Sequence, residues 1–190
     1  MLIIDWIRHT SLQIDGSYSY GQTDVQVSDN FEVEAATVKD WLDGIGYDAI
    51  YTSPLSRAKK LAHYCGYTDA IEDPRIKEIF LGEWEMKKWA DIIMYDNLDD
   101  WFANFHNLTA PGGENLQNLL DRVKEFIQDA RLKRHSRIAV FCHGGVINCA
   151  RYMNSEISKA LIFREVPMYG SINTIKYSYL DQHDRVKKDI

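Results

Sequence analysis

The sequence predicts an α/β protein, a three-layer α/β/α sandwich around a mostly parallel central sheet with a small helical insertion above it. Three observations carry this. Short apolar runs alternate with amphipathic helical segments along the 190 residues, the pattern of helices packed on a sheet. Two runs, Leu2 to Ile7 and Ile138 to Phe141, have the character of buried strands. Each of these runs ends in a histidine, in Arg8-His9-Thr10 and in Cys142-His143-Gly144-Gly145.

The elements follow in order. Leu2 to Ile7 is the first strand, and Ser11 to Asp29 is a polar loop. Phe31, Ala35, Val38, Leu42 and Ile45 recur at helical spacing, and Gly44 and Gly46 end that helix. Asp48 to Thr52 is a short strand. Ser53-Pro54 is expected to open the next helix, with serine as cap and proline in the first turn. That helix carries Leu55, Ala58, Leu61 and Ala62 on one face, and Asp69 to Glu72 follows as a short strand. Residues 84 to 110 read as the helical insertion, with Trp84, Trp89, Tyr95, Trp101, Phe102 and Phe105 among acidic residues. Most of these aromatics are expected to form the insertion's own core. Pro111-Gly112-Gly113 turns into a long helix with Leu116, Leu119, Leu120, Val123, Phe126, Ile127 and Ala130 facing inward. Gly144-Gly145 leads into a helix over Val146 to Met153, Ile172 to Tyr179 alternates as a late strand, and the charged tail from Asp181 to Ile190 frays.

Composition narrows the function classes. The length suits one domain spanning residues 1–190, and 45% hydrophobic content supports a real core. The net charge of −6 argues against a broad nucleic-acid surface, and no run is apolar and long enough to span a membrane. Cys65, Cys142 and Cys149 form neither a disulfide framework nor a zinc pair. That cysteine usage leads to the expectation of a cytoplasmic protein, as a monomer or homodimer, and the N-terminus is expected to enter a strand directly, without a basic leader.

In an open α/β sheet, reacting groups collect outside the carboxyl ends of the strands. Two neighbouring strands would place His9 and His143 in one crevice, with Arg8 beside them. Arg57 lies just inside the helix after the 48–52 strand and points to the same edge. Taken singly, a histidine is as readily a satisfied core residue, and Arg57 a surface ion pair. Grouped, with Gly144 and Gly145 exposing backbone at a helix N-terminus, they form what a phosphate site needs. The reading is phosphoryl transfer with a histidine nucleophile. Other motifs fail on context. Gly44-Ile45-Gly46 precedes a strand instead of following one. Cys142 lacks the arginine six residues on that a cysteine phosphatase needs, since position 148 is Asn148.

Four blocks together resemble the histidine phosphatase superfamily, which includes phosphoglycerate mutases and acid phosphatases. They are Arg8-His9-Thr10, Ser53-Pro54-Leu55-Ser56-Arg57, the stretch from Glu78 to Glu85, and His143-Gly144-Gly145. The resemblance implies that His9 is the nucleophile, that Arg8, Arg57, Gly144 and His143 hold the phosphoryl group, and that Glu78 is the proton donor. Glu83 and Glu85 are near enough in sequence to serve instead of Glu78. It implies no cofactor and no metal, because two guanidiniums and a histidine supply the positive charge. Met86 departs from the family's usual glycine, and Thr10 replaces a glycine found in many members.

Thr10 and Tyr20-Gly21-Gln22-Thr23-Asp24-Val25 are similar to the α-ribazole phosphatases of cobalamin synthesis. Tyr20 and Gln22 would then face the substrate, a small phosphorylated metabolite, beneath the insertion over the active site. Gln26-Val27 stands where those proteins often have proline-leucine. A broad-specificity histidine phosphatase, a phosphoglycerate mutase-type phosphotransferase and a non-catalytic phospho-ligand domain are the alternatives.

Overall fold

In the computed structural model, residues 1–95 and 108–180 are described. The strands are β1 (Leu2–Arg8), β2 (Ala49–Thr52), β3 (Ile71–Glu72), β4 (Arg137–Cys142) and β5 (Ile172–Tyr177). The helices are α1 (Phe31–Leu42), α2 (Ser56–Tyr64), α3 (Trp89–Tyr95), α4 (Leu116–Leu132) and α5 (Gly144–Met153). The sheet order is β3-β2-β4-β1-β5. β5 is antiparallel to β1, and the other pairings are parallel.

Side chains of β1 and β4 alternate between two cores, as the period of a strand dictates. Ile7, Ala139 and Phe141 face α1 and α2, joining Ala35, Val38, Leu42, Ala58 and Leu61. Leu2, Ile4, Trp6, Ile138, Val140 and Cys142 face α4 and α5. Three layers result because both faces of the sheet are apolar. Phe126 of α4 meets Trp6 edge-on at 5.8 Å and Tyr51 at 5.2 Å. Truncating such a buried aromatic costs about 3–5 kcal/mol. The buried carboxylate of Asp5 ties the centre together, accepting from Arg137 Nε at 2.8 Å, Tyr47 at 2.8 Å and Thr174 at 2.6 Å.

Three expectations need correction. Ser53 does not cap α2, which starts at Ser56 after an extended Leu55; Ser53 Oγ instead accepts from Leu55 N at 3.3 Å and meets His143. Gly144 and Gly145 are the first turn of α5 rather than a lead into it. Of the insertion's aromatics, Trp84 is buried in the α4 side of the main core and Trp89 packs against that core, not in a core of the insertion's own. Within 84–110, α3 is present, while Trp101, Phe102 and Phe105 lie outside the described residues, as does the tail from Asp181. Asn115 and Asn118 form a reciprocal capping box at the start of α4, each side chain accepting the other's backbone N–H at 3.0 Å.

Candidate active site

The register of β1 on β4 pairs Arg8 with Cys142, so His9 and His143 emerge side by side at the same sheet edge. His9 N donates to Cys142 O at 3.1 Å, and Ser53 N, at the end of β2, donates to Phe141 O at 2.9 Å. Three strand ends thus deliver three side chains to one place. The imidazole centroids of His9 and His143 are 5.3 Å apart.

The ring protons can be assigned. His9 Nδ1 lies 2.7 Å from the carbonyl of Thr10, which can only accept, so the proton sits on Nδ1 and Nε2 carries the lone pair. His143 Nε2 lies 2.8 Å from Ser53 Oγ. Ser53 Oγ also accepts from Leu55 N; with the hydroxyl proton directed to His143 Nε2, the ring proton is on Nδ1, which is buried with no partner among the described residues. Burial, then Arg57 and Arg8, hold the His9 pKa well below the usual histidine range. Burial first, then Arg57, does the same to His143. Both rings are neutral at physiological pH.

Arg57, in the first turn of α2, is fully buried. Its Nη1 donates to Thr23 O at 2.8 Å and its Nη2 to Gly21 O at 2.6 Å. Burial lowers its pKa from the ordinary value, yet a guanidinium stays charged. Arg8 Nη1 donates to the carbonyl of Pro167, and its guanidinium lies 3.9 Å from the ring centroid of Tyr169. Among the described residues, no carboxylate pairs with either arginine. Among the described residues, Arg8 Nε, Arg57 Nε, Thr10 Oγ1 and His143 Nδ1 are all buried without a hydrogen-bond partner. Buried polar atoms are nearly always paired, so four of them around one histidine mark a place that an anion fits.

Glu78 faces this cluster. Its Oε2 accepts from Gly145 N at 3.0 Å and its Oε1 from Ile79 N at 2.9 Å. A Cβ at position 145 would collide with the carboxylate, and one at 144 would crowd Val166 and approach the Arg8 guanidinium. The glycine pair therefore admits two functional side chains to the helix start. The expectation that the first-turn amides stand open changes accordingly, because Glu78 occupies that of Gly145. The two neighbouring glutamates are placed differently. Glu85 accepts from Gln22 N, Thr23 N and Leu81 N, which anchors the loop, and Glu83 is exposed.

A cavity of about 220 Å³ adjoins the cluster, lined by Arg8, Glu78, Tyr20, Tyr169, Trp89 and Phe163 among others. Tyr20 is thus at the cavity wall. Gln22 is not among its lining residues; its side-chain amide donates to Glu78 O at 2.9 Å and supports the loop.

The family's sequence pattern, Histidine phosphatase superfamily (branch 1), matches residues 6–184. The chain belongs to the histidine phosphatase superfamily. Within it, the chain is 30% identical over 152 residues to the adenosylcobalamin/alpha-ribazole phosphatase of Escherichia coli K12, covering 75% of this chain and 73% of that one. It is 29% identical over 159 residues to an Escherichia coli O139:H28 protein described as a probable phosphoglycerate mutase, covering 78% and 73%. The structure of the alpha-ribazole phosphatase from Shigella flexneri superposes with a TM-score of 0.81 at 21% identity, over 95% of this chain and 91% of that one, which shows the shared fold.

Three further residues at this site carry little or no signal in the sequence. Ser53 opens the Ser53–Arg57 stretch, and its place at a strand's carboxyl end is the signal for it. Tyr169 carries no local signal, because it reaches Arg8 only through the β1–β5 pairing. Arg122 lies within a regular helix, and only its contacts with the Glu78 loop reveal it. Its Nη1 donates to Arg75 O at 2.7 Å and Lys77 O at 2.5 Å, and its Nη2 to Glu78 O at 2.9 Å. Its ion pair with Glu114, at 2.9 Å, holds it there.

Proposed function

We propose that this protein hydrolyses phosphomonoesters through a phosphohistidine at His9, without a metal, and that its substrate is α-ribazole 5′-phosphate in cobalamin synthesis. The observation that carries the chemistry is the group of four unpartnered buried polar atoms around a neutral His9. Arg8, Arg57 and His143 Nδ1–H receive the phosphoryl oxygens, replacing the missing partners. Gly144 keeps the backbone clear of them.

His9 Nε2 attacks phosphorus as the ester P–O bond breaks. Glu78 gives its proton to the departing oxygen, forming the alcohol. Water then loses a proton to Glu78 and attacks the phosphohistidine. The P–N bond breaks, inorganic phosphate leaves, and Glu78 is protonated for the next turnover. Charge on the transferring group is stabilised by fixed donors on buried side chains such as Arg57 and His143, where such donors act most strongly.

The substrate rests on the 30% identity to the E. coli K12 phosphatase and on the aromatic wall of the cavity, Tyr20, Tyr169, Trp89 and Phe163, which suits a ring-bearing alcohol. Three free buried cysteines suit a reducing cytoplasm. The test is kcat/KM on α-ribazole 5′-phosphate against ribose 5-phosphate, in EDTA. A ratio of about tenfold to a thousandfold is expected, the span of a few good contacts; equal values overturn the α-ribazole assignment. The similarity to the probable phosphoglycerate mutase favours a second reading, transfer of the phosphoryl group to a sugar acid. Isomerisation of phosphoglycerate faster than its hydrolysis would select it.

A further inference from the structure

The segment from Pro167 to Ser171 encloses the Arg8-His9 pair. Arg8 N donates to Ser171 O at 3.0 Å, and Gly170 N donates to His9 O at 3.1 Å. Arg8 Nη1 donates to Pro167 O. Tyr169 completes the enclosure with its ring: 3.9 Å from its centroid to the Arg8 guanidinium carbon, and 5.5 Å to the His9 ring centroid. Its hydroxyl lies 3.1 Å from that of Tyr20, and both tyrosines line the cavity. Tyr169 itself is 40% exposed, so it is not filling a core.

Arg8 needs such a support. Its guanidinium is buried at Nε without a partner and has no carboxylate among the described residues to fix its rotamer. A carboxylate there would compete with the phosphate for the cation. An aromatic face attracts the same cation through its quadrupole and leaves the in-plane donors free. We propose that Tyr169 is a positioning residue: its face holds the Arg8 guanidinium in place for the phosphoryl group, while its hydroxyl, paired with Tyr20, sets the width of the cavity that receives the leaving alcohol.

The inference rests on Arg8 binding phosphate, so the experiment separates the two. Orthovanadate affinity and KM against kcat are measured for the unsubstituted protein and for Arg8→Ala, Tyr169→Leu and Tyr169→Phe, each checked for an unchanged unfolding transition. Leucine keeps bulk without the π face, and phenylalanine keeps the face without the hydroxyl. Tyr169→Leu is expected to weaken vanadate about threefold to thirtyfold, the span of a partly desolvated cation–π contact, with KM rising more than kcat falls. Tyr169→Phe is expected to restore vanadate affinity to within about twofold and to lower the preference for a ring-bearing ester over ribose 5-phosphate. In the Arg8→Ala background, Tyr169→Leu should add little, since the partner is gone. If Arg8→Ala weakens vanadate and Tyr169→Leu does not, the positioning role is overturned. If Arg8→Ala leaves vanadate binding intact, Arg8 does not hold the phosphoryl group and the reading beneath fails. If Phe behaves as Leu does, the hydroxyl rather than the face acts on Arg8, and the proposal fails in that form.

Discussion

The two sides of the site are built in opposite ways. On one side, around the buried His9, the half-buried Arg8 and the fully buried Arg57 and His143 each keep a buried nitrogen with no hydrogen-bond partner, and neither arginine pairs with a carboxylate, among the described residues. On the other, carboxylates are fully engaged: Glu78 by Ile79 N and Gly145 N, Glu85 by three loop amides, and Glu114 by Arg122 and Phe80 N. The basic side keeps unmet donors, and the acidic side is hydrogen-bonded within the chain. Unpaired buried groups destabilise a fold; they persist where a ligand completes them.

The comparison can be broken at its centre first. His9→Ala removes the proposed nucleophile, and turnover should fall by about four orders of magnitude or more while the fold survives. Rapid-quench labelling of the unsubstituted protein should show an acid-labile, base-stable phosphate that the variant lacks. Near-normal turnover in His9→Ala would end the phosphohistidine mechanism.

Glu78→Gln sharpens the role of the engaged side. The loss should be about a hundredfold to ten-thousandfold for alkyl phosphates, which need a proton on the leaving oxygen. p-Nitrophenyl phosphate should lose much less, because nitrophenolate leaves unprotonated. An equal loss on both substrates would make Glu78 part of the scaffold.

Arg57→Lys keeps the charge and removes the fork. Turnover and vanadate affinity should each fall about tenfold to a hundredfold, one charge-assisted hydrogen bond's worth. Arg122→Ala tests the finished side as structure. It breaks the ion pair with Glu114 and leaves the Arg75 and Lys77 carbonyls without this donor, so urea unfolding should show a loss of about 3 kcal/mol, with catalysis impaired less than in Glu78→Gln. The reverse order would place Arg122 in the chemistry.

The smallest effect is on pH. Both histidines are held well below the ordinary value of 6.5, by burial first and then by the arginines. Above that value folded and unfolded rings are alike neutral, and stability is undiminished. Below it, unfolded rings gain protons and folded ones do not, so stability falls with falling pH, by up to about 1.4 kcal/mol per histidine per unit. The fall between pH 7.5 and 5.5 should be smaller in His143→Gln, as read by urea unfolding at both values. An identical fall would mean that His143 is protonated in the folded protein.

Much of this was present in the chain itself. The runs 2–7 and 138–141 are apolar on both faces, so their burial under two helical layers follows from local pattern, and so does the placing of His9 and His143 at their carboxyl ends. The spacing in α4 likewise names its core face residue by residue. What the pattern does not contain is which distant atoms meet. That depends on the order β3-β2-β4-β1-β5, which sets Ser53 against His143 and brings Tyr169 over Arg8. Three glutamates, 78, 83 and 85, are chemically equivalent as letters; only the packing of the loop against α4 and α5 aims one at Gly145, turns one inward to hold amides and leaves one in water. Periodicity is a property of neighbours in sequence, whereas a site is a property of neighbours across elements, and the choice between them is made by tertiary contacts such as the Arg122–Glu114 pair that no single segment encodes.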